Sequence, residues 1–248
     1  FAASTPRRPI WPASVATYSL AADHRATIDA VARRALSDLV VVWRQTADLP
    51  TPQATAALLD LVPDITTAYG DVAATVAADY YAESRADVPG SFRPTLAAPL
   101  PIEQVHAVTR WAVGPLWSDT PDHQAALRQL AQGTDRLVRL GDRRTIIDNA
   151  ARDPQAQGTV RLTRPDACGF CLLMVTRIDH ASLTPQVAAE RSDRWHGNCK
   201  CGTAPRFGES YDDWPDPNDL YGEFLTVTDG LGGARARQAW DRHVRAQR

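Results

Sequence analysis

All four cysteines of this chain sit in one short stretch near its C-terminus. Cys168 and Cys171 form a Cys-x2-Cys pair, and further on comes Trp195-His196-Gly197-Asn198-Cys199-Lys200-Cys201. Thiolate and imidazole are the ligands Zn2+ prefers, and a Cys-x2-Cys knuckle answered by a second close-spaced pair is the usual way to build a closed tetrahedral site. A metal held by both halves ties them together whatever lies between, so this cluster constrains the fold more than any other feature.

Five side chains compete for four positions. Cys168, Cys171 and Cys199 are the core of the set, and His196 and Cys201 compete for the fourth place. Ligands in excess point to structural Zn2+, because a catalytic zinc keeps one position open. Such a site contributes on the order of 10 kcal/mol or more to local folding. Gly169 lets the first turn tighten without steric cost, and Gly197 and Gly202 do the same around the second half. Two plainer readings stand beside the metal. An even number of cysteines allows two disulfides, although crosswise pairing of the two knuckles demands strict register. Four reduced thiols are the other.

The 248 residues are enough for one large or two modest domains. A net charge of -2 argues against wholesale nucleic-acid binding. Local basic segments exist all the same: Arg143-Arg144, the stretch from Arg161 to Arg164, and the tail from Arg235 to Arg248. No window is apolar enough to span a membrane, and no charged-then-apolar signal peptide opens the sequence. The first residue is Phe1 rather than Met, which leaves a processed or incomplete N-terminus open.

Residues 1–20 are Pro- and Ser-containing and irregular, which suggests an extended arm. From Asp23 to Arg44, Ile28, Val31, Ala32, Ala35, Leu36, Leu39, Val42 and Trp43 recur at three and four and predict an amphipathic helix. Thr51-Pro52 reads as the cap of a second helix, which Pro63 breaks or kinks before it resumes to Ser84. Pro89 to Pro101 is a connection. Ile102 to Trp117 reads as helix, and Thr120-Pro121 caps another, ending at Gly141, with Asp142 capping a short one through Ala151. The character changes after Asp153-Pro154. Gly158 to Arg164 alternates like a strand, Leu172 to Thr176 is helix or strand, Thr184-Pro185 opens a short helix, and Cys201 to Phe207 is extended. Ala234 to Ala246 is a basic helix. The expected fold is mainly α with a small C-terminal α+β zinc-binding unit. Its parts are an arm (1–20), a helical domain (21–153), a Cys/His metal-tied unit (154–210), and a loop with a basic C-terminal helix (211–248).

The run Arg164-Pro165-Asp166-Ala167-Cys168-Gly169-Phe170-Cys171-Leu172-Leu173-Met174, followed by the Trp195–Cys201 segment, resembles the MuF-like minor head proteins of tailed phages, in the version found in phages of actinobacteria. Asp60-Leu61-Val62-Pro63 and Ala77-Ala78-Asp79-Tyr80-Tyr81 are similar to the helical part of that group. The resemblance covers about residues 25 to 207, and its cysteine motif is the specific part. It implies a virion or procapsid component that meets portal protein, major capsid protein or both, acting at head assembly or DNA packaging and ejection. Packaged DNA is a further partner through the basic segments. The group is also often labelled capsid maturation protease. The residues give that activity little: there is no Gly-x-Ser-x-Gly elbow and no His-Glu-x-x-His. Ser182 with His180, or Cys168 or Cys199 with His196, are the pairs that can be named, and a metal-bound thiolate is not free to attack.

Other residues carry weaker signals. His24, His106, His123 and His243 fall at polar helical positions and read as solvated. Trp43, Trp111 and Trp117 fall on apolar faces and read as core. Trp195 either shields the metal or packs. Asp212, Asp213, Asp216 and Asp219 read as an acidic loop broken by Pro215 and Pro217; carboxylates so spaced could bind a divalent cation, but without a Gly-turn EF-hand pattern a solvated loop is the favoured reading. Arg235, Arg237, Arg242, Arg245 and Arg248 suit a phosphate, an acidic partner or open solvent, and with Trp240 at helical spacing among them they would suit a groove on another subunit.

Overall fold

The computed structural model describes residues 19–163, 167–175, 199–207 and 217–247. The fold is mainly α, with seven α-helices, one 3-10 turn and two short strands among the described residues. Three long helices form the body: α1 (Ser19–Thr46), α2 (Thr51–Ser84) and α4 (His123–Arg152) pack on one another. The shorter α3 (Ile102–Ala112) lies against α2 and α4, and the 3-10 turn Gly114–Trp117 follows it. Residues spaced at three and four supply the apolar faces: Ile28, Ala32, Ala35, Leu39 and Trp43 on α1, and Leu58, Val62, Ala73, Ala77 and Tyr81 on α2.

Pro63 does not break α2. The helix runs unbroken through it. A proline cannot donate to the carbonyl four residues back, and that carbonyl is Leu59. Here His106 Nε2 on α3 donates to the Leu59 carbonyl at 3.0 Å. His106 is therefore not a solvated surface residue but the substitute donor that makes a mid-helix proline tolerable.

Gly141 does not end a helix either. α4 continues to Arg152, and Asp142 caps nothing. A Cβ on Gly141 would lie 2.2 Å from the carbonyl oxygen of Gly70 on α2. The glycine is where two helix backbones cross in contact, not punctuation. Caps also differ in detail. Pro50 holds the N-cap position of α2 with no side-chain bond, and Asp122 caps α4 by accepting the Ala125 N–H at 2.8 Å.

Two tryptophans expected in the core are outside it. Trp111 and Trp117 are 59% and 60% exposed, whereas Trp43 is buried. The 3-10 turn after α3 breaks the helical spacing that would have carried Trp117 inward.

Polar pairs are buried between α1 and α4 beside their apolar contacts. His24, expected in solvent, is buried; its Nε2 donates to Asp142 Oδ1 at 2.8 Å and its ring stacks on Tyr80. Arg139 reaches Asp29 at 2.7 Å and Asp135 at 3.1 Å. His123 is exposed as expected, with an edge contact to Trp43. His243 is half-buried on Glu223 at 2.7 Å, not solvated.

Beyond α4, strand β1 (Thr159–Leu162) pairs antiparallel with β2 (Gly202–Pro205), Leu162 opposite Gly202 and Thr159 opposite Pro205. The pair packs on α4. Three helices complete this end: α5 (Gly169–Val175), α6 (Pro217–Val227) and α7 (Gly233–Ala246). Asp219 is in the first turn of α6, so the acidic segment is helical from Pro217 onward. The rest of that segment, the Thr184-Pro185 helix and the arm up to residue 18 lie outside the described residues. No described helix is long and apolar enough to cross a membrane.

Candidate metal centre

The Cys-x2-Cys knuckle opens α5. The Cys168 carbonyl accepts the Leu172 N–H at 3.1 Å, so Cys168 and Cys171 are one helical turn apart and face the same way. Gly169 between them is not there for an unusual backbone conformation, since it is not among the glycines with positive φ. Its missing side chain makes room for α7. A Cβ there would lie 2.3 Å from Asp241 Oδ1 and 3.0 Å from Trp240 Cδ1. Trp240 Nε1 donates to the Gly169 carbonyl at 2.7 Å. The tryptophan of the basic tail is thus an internal clamp on the knuckle, not a plug for another subunit's groove.

The second half enters β2 in extended form. Cys199 and Cys201 are buried and Lys200 between them is exposed, the alternation an extended chain imposes. The sulfurs of Cys171, Cys199 and Cys201 all lie within 4.8 Å of one another, with Cys171 and Cys199 at 3.4 Å. Four sulfurs at about 2.3 Å from one ion would be separated by about 3.8 Å. Cys168 is half-buried and hydrogen-bonds to Cys171. None of the four is in a disulfide. Three buried thiols this close could hold a metal, and the donor set suits a soft divalent ion. Cys201, expected as a competitor for the last place, lies with Cys171 and Cys199. His196 and Trp195 lie outside the described residues, as do His180 and Ser182.

Two arginines flank the sulfurs. Arg143, on α4 and 1% exposed, donates from one Nη to the Cys199 carbonyl at 2.6 Å and the Cys201 carbonyl at 3.0 Å. Arg161, on β1, brings an Nη to 4.0 Å from the sulfurs of both Cys171 and Cys199. The thiols are strongly coupled. Hydrogen bonds from Cys171 and Cys201 pull Cys199 below the usual thiol range against its burial, with the Arg143 charge adding to them. Contacts with Cys168, Cys199 and Cys201, and burial, push Cys171 up. Cys201 is pushed up to about 12, the Cys171 contact lowering it and the Cys199 contact and burial outweighing that. Burial pulls Arg143 down to about 10, against the opposing charges of Cys199 and Asp142.

Sequence reasoning saw Arg143 and Arg161 only as parts of basic segments. Arg143 falls three and four residues from Leu140, Ile146 and Ile147, all buried, so its place on an inward face was the available signal. Its partners, 56 and 58 residues away, were not.

A family model described as VG15 protein matches residues 16–227, which takes in the helical body and all four cysteines. The chain belongs to the VG15 protein family. VG15 is a phage gene family, and its member described here is a phage protein. The matched residues stop before α7, the helix that clamps the knuckle. No curated protein and no solved structure matches the chain.

Proposed function

We propose that this protein is a minor head protein of a phage virion, of the MuF-like kind, associated with portal protein, major capsid protein or both. In this reading it acts in head assembly or in DNA packaging and ejection. The observation that carries the proposal is membership of a phage family across residues 16–227. The resemblance of the Arg164–Met174 and Trp195–Cys201 segments to minor head proteins narrows it from phage protein to head component.

Zinc has a structural part here. Cys171, Cys199 and Cys201 are three of its ligands, and Cys168 or His196 is the fourth. Their burial and the short distances between their sulfurs support this. The ion would join α5 to the start of β2, two pieces of chain with little regular structure of their own. Phosphate contacts fit the exposed arginines of α7, Arg235, Arg237, Arg242 and Arg245, which point away from the buried Trp240 face.

Quantitative peptide mass spectrometry on purified mature particles tests the proposal, counting this chain against portal and major capsid protein. A few intact copies per particle, close to the portal count, are expected. Absence from mature particles together with a clipped capsid N-terminus would overturn it in favour of a maturation protease.

A further inference from the structure

We propose that Cys168 and Cys171 are a dithiol–disulfide pair, with Cys168 the thiol at which a small disulfide such as oxidised glutathione enters. Closing the pair withdraws Cys171 from the three-sulfur cluster. The sulfur chemistry stands on the geometry of the four cysteines. The part that concerns an ion deepens the zinc reading above and rests on it.

The first argument is that the four cysteines are not equivalent. Cys171, Cys199 and Cys201 are 1%, 4% and 4% exposed, and their sulfurs lie within 4.8 Å of one another. Cys168 is half-buried and is not in that group. A reagent arriving from solvent therefore meets the Cys168 sulfur before the other three, and thiol–disulfide exchange depends on access as well as on the thiol itself.

The second argument is reach. The Cys168 carbonyl accepts the Leu172 N–H at 3.1 Å, so a single helical turn joins the two cysteines. Residues three apart in such a turn have Cα atoms about 5 Å apart, inside the roughly 4.4–6.8 Å that a disulfide bridges. The two side chains already meet, since Cys168 hydrogen-bonds to Cys171. The turn is also held from outside, by the Trp240 Nε1–H on the Gly169 carbonyl at 2.7 Å. Closing the pair moves two side chains and leaves the backbone in place. Cys199 and Cys201 are two apart in an extended run, which sets their Cα atoms about 6.6 Å apart, at the upper end of the same range. Cys171 and Cys199 have sulfurs 3.4 Å apart, but both are buried, so that pair gives an outside reagent no point of entry.

The third argument is the chemistry. The Cys168 sulfur gives its proton to solvent and attacks one sulfur of the small disulfide, whose S–S bond breaks as one thiolate leaves. Cys171, losing its own proton or its hold on an ion, attacks the Cys168 sulfur. The mixed S–S bond breaks and the second thiolate leaves, and both departing thiolates take up protons. Two protein thiols are oxidised to one disulfide, and one small disulfide is reduced to two thiols. The thiolate is the form of cysteine that holds a metal, so an ion on Cys171, Cys199 and Cys201 loses a ligand when the pair closes. A reducing compartment keeps the pair open and an oxidising one closes it.

The test uses the full chain, reduced, loaded with Zn2+ and then exposed to oxidised glutathione without air. Peptide mapping under non-reducing conditions locates the disulfide, and a chromogenic chelator reads the zinc set free. The expected result is a Cys168–Cys171 disulfide with one zinc released for each disulfide formed. Cys168→Ser should bind Zn2+ as tightly as the parent and lose none over the time in which the parent loses all of it. Cys168→Ala is the second variant and should behave alike, with helical circular dichroism confirming the fold of each. Weakened zinc binding in both folded variants would make Cys168 a ligand and overturn the proposal. A disulfide mapped to Cys171 and Cys199, or survival of all four thiols, would overturn it as well. A parent chain that binds no zinc would remove the zinc reading alone, and the mapped disulfide would still decide the pair.

Discussion

Gly141 and Pro63 are both residues that end helices in isolation, and both are inside long helices here because a neighbour changes the balance. At Gly141 the neighbour is the Gly70 backbone. Alanine is a better helix former than glycine by about 1 kcal/mol, yet a Cβ 2.2 Å from a carbonyl oxygen forces the helices apart. Gly141→Ala is expected to destabilise by about 1–3 kcal/mol, the usual result of overpacking. Urea denaturation followed by circular dichroism measures it, and a gain in stability would contradict the close crossing. At Pro63 the neighbour is His106. His106→Leu strips the Leu59 carbonyl of its donor and should cost about 1–2 kcal/mol. In a Pro63→Ala background residue 63 regains an N–H for that carbonyl, so the same His106 change should cost distinctly less. A double-mutant cycle reads the difference, and additive costs would sink the pairing.

At the scale of elements, periodicity made much of the fold legible. Apolar residues at three and four gave α1, both arms of α2 and the inward face of α4, and alternation gave β1 and the extended run into β2. What failed were boundaries decided by a partner far along the chain: the donor for Leu59, the backbone beside Gly141, the helix over Gly169. The cysteine cluster was legible because ligand chemistry is carried by residue type and spacing. The arginines beside it were not, because nothing local distinguishes a buried guanidinium from a solvated one. A second buried arginine links elements elsewhere. Arg85, just past α2, donates to Asp153 Oδ2 at 2.6 Å at the C-terminal end of α4, and Tyr81 joins them at 3.3 Å. Burial alone would raise the Asp153 carboxyl. The Arg85 hydrogen bond, the Gln155 N–H, the Arg85 charge and the Tyr81 hydroxyl outweigh it and hold the group below its ordinary range. A carboxyl depressed by folding stabilises fully above its unfolded value of about 3.9, and that contribution is lost as pH falls through the folded value. Arg85→Gln should therefore be less stable than the parent at pH 6, with the gap closing below about pH 4. Urea midpoints across that range check it; a gap that widened toward acid would contradict the pairing.

The whole molecule has two kinds of cohesion. The body is held by apolar faces of α1, α2 and α4, with the Arg139–Asp29 ion pair and the His24–Asp142 hydrogen bond buried between α1 and α4. Among the described residues, the C-terminal end is built from a two-stranded sheet, short helices and the Trp240 clamp. Chelation is accordingly expected to loosen residues after 153 and leave the three long helices formed. Limited proteolysis should cut first between α4 and α7 in chelated protein and in Cys171→Ser, with a body fragment surviving. Equal resistance of both ends after chelation would show that no metal staples this region.

The hydrogen bonds of Arg143 span 56 and 58 residues, and they make the two ends thermodynamically reciprocal. If a formed α4 favours metal binding, bound metal must favour α4 by the same free energy. α4 also leaves the ribosome well before Cys199 does. An ion taken up at these cysteines would therefore come late and inspect what has already folded: a chain whose body is faulty would acquire it poorly, and metal content would become a reading of the integrity of helices that hold no ligand.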